Sequence, residues 1–251
     1  MSEKFNRLYN DLAWLWPLWG EPTETYADWC DQVTRFIHQY SERPAATLLN
    51  LGCGGGKNAF NLKKQFAVTG VDISPAMLDL ARELNPECQF HLGDMRSCSI
   101  GHEFDAVLID DAISYMVNRP DLLAVFQTAY RHLRAGGVMV VMPDHTRETF
   151  QQNLTRASVS RAKARPADID VVFIENDYDF DPGDDFYDCT IIYLIQESGK
   201  LRVETDTHIL GLFSLDIWRS ALREAGFEVH EENYSIDDRD YKPFVCVKTR
   251  S

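Results

Sequence analysis

The chain has 251 residues, 45% of them hydrophobic, which suits one large α/β domain or one domain carrying an insertion. Its formal net charge of −14 disfavours nucleic acid and anionic membranes as partners, because like charges repel. There is no apolar run of about 18 residues and no signal-peptide pattern at the start, so we expect neither a membrane span nor a secreted protein. The six cysteines are scattered without a C-x-x-C pair, which argues against a zinc ribbon or a disulfide framework and indicates a reducing cytoplasm.

The first part of the chain predicts helices and the next part an α/β sheet. Residues 1–44 carry apolar residues at helical spacing, interrupted by Pro17, Gly20 and Pro22. From residue 45 strands and helices alternate, which indicates a parallel sheet covered on both faces. The predicted strands are 46–51, 67–72, 88–92, 104–110 and 137–142; the predicted helices are 57–66, 75–84 and 119–134, the last ending at the glycines of RAGG.

The alternation stops near residue 144. A polar stretch follows, for which the pattern predicts weak helix, and then antiparallel strands with a turn at ESGK. A helix at 214–225 and strands at 227–233 and 243–248 complete the chain. We therefore expect residues 144–211 to be an insertion near the carboxyl ends of the parallel strands, where ligands bind in such sheets.

A glycine-rich loop, LGCGGGKNAF, joins the first strand of this sheet to a helix. A Walker phosphate loop is excluded because Leu51 and Asn58 stand where glycine and a hydroxyl residue are required. A dinucleotide fingerprint is excluded because Lys57 replaces its third glycine. The spacing that remains is G-x-G-x-G, and backbone N–H groups at a helix start favour an anionic ligand. Its glycines are Gly52, Gly54 and Gly56.

Two acidic residues follow at the ends of the next two strands. Asp72, in VTGVDISP, can accept hydrogen bonds from both hydroxyls of a ribose. Asp94, in FHLGDMRS, can accept from an adenine amine, and the amide of Met95 can donate to a ring nitrogen. Ile73 can pack on the adenine face. Together with the glycine loop, these residues predict a site for an adenosine-containing ligand.

In this order the motifs resemble those of the class I S-adenosylmethionine-dependent methyltransferases. The matching stretches are LLNLGCGGGKNAFNL, VTGVDISPAMLDLARE, FHLGDMRS, FDAVLIDDAISYM and LRAGGVMVV, and the resemblance covers residues 45–143 and 212–250. It implies an α/β fold with a Rossmann-like, doubly wound, mixed sheet of seven strands, and S-adenosyl-L-methionine as cofactor. It also implies a core at 45–143 and 212–251, a helical cap over the cofactor at 1–44, and an antiparallel β-rich lid at 144–211.

The resemblance also assigns cofactor contacts. In the family an acid usually stands at the position of Asn50 and orients the amino group of the cofactor; Asp110 and Asp111 are the candidates to compensate for this departure. By the same resemblance, tyrosines of the N-terminal segment reach the cofactor carboxylate. The expected cofactor-binding residues are Asn50, Gly52, Cys53, Gly54, Gly56, Asp72, Ile73, Asp94, Met95, Asp110, Tyr9 and Tyr26.

The stretch DTHILGLFSLDIWRSALREAGFEV and the insertion resemble small-molecule methyltransferases, including the amino-sugar N,N-dimethyltransferases. This implies methyl transfer to a small molecule, with an amine favoured over a carboxylate or hydroxyl. His208, His145 and Tyr115 are the candidate catalytic residues, and structural hydrogen bonding or packing is the alternative role for each. We expect no metal ion, a cytoplasmic location, and a monomer or homodimer.

Other hypotheses remain open at this point. A nicotinamide-dependent oxidoreductase and a non-catalytic cofactor binder are the alternatives to a methyltransferase. The acidic run NDYDFDPGDDFYD at 176–188 has aspartates at the spacing of a calcium loop, but Pro182 occupies the position that needs glycine. An acidic lid that attracts a cationic amine and a solvated connecting loop are the other interpretations of this run.

Overall fold

The computed structural model describes residues 6–160, 169–236 and 239–250. Two short 3₁₀ segments, Arg7–Tyr9 and Ala13–Leu18, precede the first α-helix. The α-helices of the described residues are α1 Ala27–Tyr40, α2 Lys57–Leu62, α3 Pro75–Leu84, α4 Arg119–His132 and α5 Leu215–Glu224. The strands are β1 Thr47–Leu51, β2 Ala67–Asp72, β3 Gln89–Leu92, β4 Phe104–Ile109, β5 Leu133–Val141, β6 Leu154–Val159, β7 Ile169–Tyr178, β8 Phe186–Glu197, β9 Lys200–Gly211, β10 Glu228–Glu231, β11 Tyr234–Ile236, β12 Arg239–Tyr241 and β13 Phe244–Val247.

The main sheet has seven strands in the order β10-β13-β5-β4-β1-β2-β3. Strands β1 to β5 pair in parallel, and β13 runs antiparallel to both of its neighbours. The chain starts in the middle of the sheet, builds β2 and β3 on one side, and then returns to build β4 and β5 on the other. The carboxyl ends of β1 and β4 therefore border the topological switch point, where ligands bind in open α/β sheets. The predicted Rossmann-like mixed sheet of seven strands is confirmed.

Helices cover both faces of this sheet because residues along each buried strand alternate between two cores. Leu49 and Leu51 of β1 pack into the cluster that includes α4 and α5. Leu48 packs on the other face, in the cluster that includes α1, α2 and α3. Both clusters are buried, so the strand ends are held in fixed positions relative to one another.

The insertion forms a second, antiparallel sheet of four strands in the order β6-β7-β8-β9. Its inward side packs against the N-terminal 3₁₀ segments, where Trp19 stacks on Phe173 with ring centroids 4.7 Å apart. The predicted turn at ESGK is confirmed, with positive φ at Ser198 and Gly199 as a two-residue hairpin requires.

Two details of the predicted secondary structure are wrong. The polar stretch predicted as weakly helical contains the edge strand β6, whose inward-facing Arg156 pairs with Asp177 across to β7 at 2.8 Å. Charged residues are common on edge strands, and here they hide the strand pattern. Helix α4 also ends at His132, before the RAGG glycines, and Gly136 has a φ of +77° within β5. In the described part of the chain, no helix is long and apolar enough to cross a membrane.

A buried carboxylate ties the amino ends of three parallel strands together. Asp105 on β4 is only 3% exposed and accepts hydrogen bonds from the amides of Ala46 and Thr47 at 3.0 and 3.1 Å. Arg134 at the start of β5 donates to its other oxygen at 2.7 Å. Burial alone raises the pKa of this carboxyl, but the hydrogen bonds outweigh burial and lower the pKa to about 2.

We expect Asp105→Asn to lower the free energy of unfolding by about 2 kcal/mol at pH 7, since a pKa difference of one unit corresponds to about 1.4 kcal/mol. The folded-state pKa lies below the unfolded value, so this contribution is present above about pH 4 and is lost as the pH falls toward 2. Urea unfolding at pH 7 and pH 3 measures it, with Glu103→Gln as a control on an exposed neighbouring acid. If Asp105→Asn lowered the free energy of unfolding by the same amount at pH 7 and pH 3, this explanation would be contradicted.

Candidate active site

A cavity of about 410 Å³ lies at the carboxyl ends of β1, β2, β3 and β4, below the N-terminal segment. Most of its lining comes from the loops that follow these four strands. The remaining wall comes from the N-terminal segment. The lining residues are Asn6, Tyr9, Trp16, Tyr26, Gly52, Cys53, Gly54, Lys57, Asn58, Asp72, Ile73, Ser74, Gly93, Asp94, Met95, Arg96, Asp110, Asp111, Ala112, Tyr115 and Met116.

Asp72, at the end of β2, joins two of the loops around the cavity. One carboxylate oxygen accepts the amide hydrogen of Gly54 at 2.8 Å, and the other accepts that of Ser74 at 2.9 Å. Burial raises the pKa of Asp72, partly offset by these backbone donors. Each oxygen retains a lone pair for a further donor, as two adjacent hydroxyl groups require.

The glycines of the loop allow close approach by protein side chains as well as lining the cavity. A Cβ atom on Gly55 would lie 2.4 Å from Cδ1 of Trp16, so the indole packs directly on the backbone there. A Cβ on Gly52 would lie 2.3 Å from Cβ of Ala112 in the loop after β4. Gly54 lines the cavity itself. The loop is therefore shaped for its cover and its neighbouring loop in addition to any ligand.

Ser74 fixes the N-terminal segment beside this loop. Its hydroxyl oxygen caps α3 by accepting from the amide of Met77 at 3.1 Å, while its hydrogen is donated to the carbonyl of Tyr9 at 2.6 Å. Tyr9 is thereby held at the cavity wall.

The loop after β3 presents an acid that already has a partner. Arg96 donates to both oxygens of Asp94, at 2.6 Å for the shortest contact, and also to Asp121 on α4 at 3.1 Å. Burial raises the pKa of Asp94, but the bonds from Arg96 outweigh burial and lower it. Asp94 is thus ionised and acts as a hydrogen-bond acceptor, and Ile73, 38% exposed, offers an apolar surface nearby.

The loop after β4 presents a buried acid with one free acceptor atom. One oxygen of Asp110 accepts from the side-chain amide of Asn58 at 2.7 Å. Its other oxygen is buried with no hydrogen-bond partner among the described residues. Burial and the nearby charge of Asp111 raise the pKa of Asp110 well above its usual range. A cationic group in the cavity would satisfy this oxygen and favour its ionised form.

A chain of hydrogen bonds leads from the cavity into the inserted sheet. The hydroxyls of Tyr9 and Tyr115 are 2.8 Å apart, and the hydroxyl of Tyr115 lies 2.6 Å from Nδ1 of His208. Nε2 of His208 lies 2.8 Å from a carboxylate oxygen of Asp206, which also accepts the amide hydrogen of Leu8 at 2.9 Å. His208 is 2% exposed and reaches the cavity through Tyr115.

Besides His208, three of the predicted site residues do not line the cavity. Asn50 is buried in the middle of β1, and the described residues offer its amide no hydrogen-bond partner. Gly56 has a φ of +79°, and its carbonyl accepts from Asn85 at 2.9 Å, so it serves packing of α2 on α3. His145 contacts Asp177 at 3.4 Å within the inserted sheet, so the structure does not bring it to the cavity.

The acidic run is a hairpin connection between β7 and β8. Asp177 points inward and pairs with Arg156 and His145, whereas Asp179 and Asp181 cap backbone amides of the connecting loop. Within residues 6–160, 169–236 and 239–250, no three His, Cys, Asp or Glu side chains are grouped to hold a metal ion.

Several lining residues were not predicted from the sequence. Trp16 and Lys57 belong to stretches that we had noted, but their contact depends on how the N-terminal segment folds over the loop. The role of Asp206 follows from alternation along β9, which places it on the same side of the strand as His208. This could be recognised only after the strand and its partner were known. Ser74 stands before a proline at a helix start, which is a usual capping pattern.

The arrangement suits S-adenosylmethionine in polarity. Asp72 offers free lone pairs for the ribose hydroxyls, and Asp94 with Ile73 offers an acceptor and an apolar face for adenine. At the other end, the partnerless oxygen of Asp110 matches the amino group of the methionine part.

Comparison with known proteins agrees with this geometry. Residues 48–137 match the family model described as a methyltransferase domain. The dTDP-4-amino-2,3,4,6-tetradeoxy-D-glucose N,N-dimethyltransferase of Saccharopolyspora spinosa is 28% identical over 203 residues, covering 79% of each chain. The crystal structure of Streptomyces venezuelae DesVI is 26% identical, with a TM-score of 0.80 over 94% of this chain and 95% of that one.

This chain is an S-adenosylmethionine-dependent methyltransferase that resembles the class I family. Its cofactor is S-adenosylmethionine, as the glycine loop and Asp72 predicted. A third relative, the trans-aconitate 2-methyltransferase of Enterobacter sp. (strain 638), is 37% identical over 138 residues, which is 49% of this chain and 54% of that protein. Because the chain is a methyltransferase, the alternative hypothesis of a nicotinamide-dependent oxidoreductase is wrong.

We expect Gly55→Ala in the methyltransferase to weaken binding of S-adenosylhomocysteine about tenfold, because the added methyl displaces Trp16 from the loop. In a Trp16→Ala background the same change is expected to cost much less, since residues in contact are not additive. Calorimetry on the two single variants and the double variant measures the coupling. Gly183→Ala, in the exposed hairpin loop, is the control. Additive effects of the two changes would show that Trp16 does not sit on Gly55.

Proposed function

We propose that this methyltransferase transfers methyl groups to the amino group of a small molecule of the amino-sugar class. Support comes from the Saccharopolyspora spinosa relative, which is named for N,N-dimethylation of an amino sugar and is similar over 79% of this chain. The observation that carries the proposal is the cavity together with the group of carboxyl side chains at one end of it.

Several carboxyl groups lie close together at one end of the cavity, where Asp110 and Asp111 line the wall and act on the buried Asp144. The pKa of Asp144 is raised well above its usual range by burial and by the charges of Asp111 and Asp110. Asp111 and Asp144 also act on the hydroxyl of Tyr9, whose pKa is raised by burial and by their charge. The nearby Arg156 and Arg96 are each paired with other carboxylates. An ammonium ion beside Asp110, Asp111 and Asp144 favours their ionised forms and is attracted to them, whereas a carboxylate there adds to their repulsion.

The trans-aconitate relative favours a second candidate, a carboxylate acceptor. That similarity covers half of this chain, whereas the amino-sugar relative covers 79% of it. The carboxyl groups beside Asp110 disfavour a carboxylate at the reacting position, because like charges repel. We therefore rank oxygen methylation second.

We propose that the cofactor lies with its adenosine against Asp72 and Asp94 and with its amino group on Asp110. When bound, S-adenosylmethionine supplies an electrophilic methyl group with a thioether leaving group. The protein then has to position a neutral amine in line with it and keep water out. The N-terminal segment and the inserted sheet flank the cavity, and we propose that they act as cap and lid.

An amine acceptor carries a proton at neutral pH that must leave before or after transfer. We propose that the chain Tyr9–Tyr115–His208 accepts it. If the imidazole is neutral with its hydrogen on Nε2, Nε2 donates to Asp206 and Nδ1 accepts from Tyr115, whose oxygen accepts from Tyr9. The oxygen of Tyr9 is then oriented as an acceptor. A proton that reaches Nδ1 leaves an imidazolium stabilised by the carboxylate of Asp206.

We also propose a cytoplasmic protein that has no nucleic-acid partner. The net charge of −14 supports a protein without a nucleic-acid partner, and the six free cysteines support a reducing cytoplasm. A monomer or a homodimer is proposed as the assembly.

An acceptor panel tests the proposed reaction. We expect nucleotide-linked and free amino sugars to gain one or two methyl groups by mass spectrometry, with and without a chelator. We expect trans-aconitate and hydroxyl acceptors to stay unmodified. The rate should rise with pH as the amine loses its proton, because only the neutral amine is a nucleophile. Methylation confined to carboxylate or hydroxyl acceptors would overturn the proposal.

Variants of the hydrogen-bond chain test the route of the proton. We expect Tyr115→Phe and His208→Gln each to lower kcat at pH 7 by at least about tenfold, since positioned bases contribute factors of this size or more. The loss should shrink at high pH, where the amine is already neutral, and the affinity for S-adenosylhomocysteine should hold. His145→Gln is the matched comparison, because His145 contacts Asp177 outside the cavity lining. Loss of kcat that is equal at all pH values would indicate a structural role instead.

A further inference from the structure

Lys57 is a buried lysine at the cavity that no sequence motif assigns to a role. It is 3% exposed, at the start of α2. Its Nζ donates to the carbonyls of Trp16 and Trp19 at 2.7 and 2.5 Å and lies 4.7 Å from the ring centre of Trp16. An ammonium has three N–H groups, and these contacts use two of them.

The contacts of Lys57 do not neutralise its charge. Carbonyl oxygens and aromatic rings are uncharged, and burying a cation beside them costs free energy. The charge of Glu21 favours the ammonium form of Lys57. Burial outweighs this effect and lowers the pKa of Lys57 to about 7. A buried cation that is retained at a cavity wall therefore points to an anionic ligand group.

The carboxylate of the cofactor is the natural anionic partner for Lys57. The proposed adenosine end lies at the loops after β2 and β3, whereas Lys57 follows the loop after β1, and its chain neighbour Asn58 donates to Asp110 at 2.7 Å. The amino-acid tail of the cofactor carries one cation and one anion. Asp110 has a buried free oxygen for the cation.

We propose that Lys57 is the counter-ion of the cofactor carboxylate and that it couples cofactor binding to the position of the N-terminal segment. This inference rests on the proposed placement of S-adenosylmethionine. Because Lys57 holds the carbonyls of Trp16 and Trp19, the group that recognises the carboxylate also fastens the segment that covers the cavity. Lys57 is in this sense a positioning and recognition residue.

The proposal implies proton uptake on binding. Below pH 7 Lys57 is already charged and the affinity for the carboxylate does not depend on its titration. Above pH 7 the free protein has lost the proton, so binding must take one up and the Kd rises by up to about tenfold per pH unit. The other titratable groups that face this region are Tyr26, Cys30, Glu21, Asp72 and Asp110. Comparison with a Lys57 variant isolates the contribution of the lysine.

Calorimetry with two ligands tests the proposal: S-adenosylhomocysteine, and 5′-methylthioadenosine, which lacks the amino-acid tail. We expect Lys57→Met to weaken S-adenosylhomocysteine at least about tenfold, since truncating one partner of a buried charge pair has effects of this size. We expect the affinity for 5′-methylthioadenosine to change by less than about twofold. Lys64→Met, an exposed lysine of the same region, is the matched control.

Titrations at pH 8 in buffers of different ionisation enthalpy measure the protons taken up. We expect Lys57→Met to take up about one proton fewer than the wild-type protein on binding S-adenosylhomocysteine, because any proton released by Asp110 is common to both proteins. Equal weakening of both ligands, or uptake that is unchanged in the variant, would overturn the role of Lys57. Failure of the wild-type protein to bind either ligand would instead contradict the proposed cofactor placement.

Discussion

The two hydrogen bonds that Asp72 accepts from backbone amides are the constraint on which the site depends. They join the glycine loop after β1 to the cap of α3 after β2, and the same cap holds Tyr9 through Ser74. One carboxylate thus sets the distance between two loops and the N-terminal segment. Burial raises the pKa of this carboxyl, and in such surroundings its remaining lone pairs are strong acceptors for a ligand.

Around this centre the cavity is divided by charge. The end that we propose for adenosine offers an acceptor that is already ionised and paired, Asp94, which Arg96 holds. The opposite end offers a carboxyl with a partnerless oxygen, Asp110, and a buried cation, Lys57. A zwitterionic tail relieves both of these unfavourable burials at once. Binding energy from the cofactor is therefore expected to order the segment that covers it.

Much of the cofactor end could be predicted from the sequence, because local rules fix it. A strand that ends in glycines and a strand that ends in an acid place Gly54 and Asp72 together in a parallel sheet, whatever the rest of the chain does. Strand β6 was missed since its exposed polar residues and the inward Arg156 conceal the alternation. His145 and His208 could not be separated by sequence, because both lie near the same strand ends and only the register of β9 brings His208 to Tyr115. Lys57 and Trp16 could not be assigned because their contact joins two segments about 40 residues apart.

The central claim is that the cavity holds the cofactor with its adenosine at Asp72 and its amino-acid tail between Asp110 and Lys57. A crystal structure of the complex with S-adenosylhomocysteine tests it most directly. The account predicts both ribose hydroxyls within hydrogen-bond distance of Asp72, the amino group on the free oxygen of Asp110, and the carboxylate next to Lys57. A complex with the tail pointing to solvent, or with the ribose away from Asp72, would contradict it.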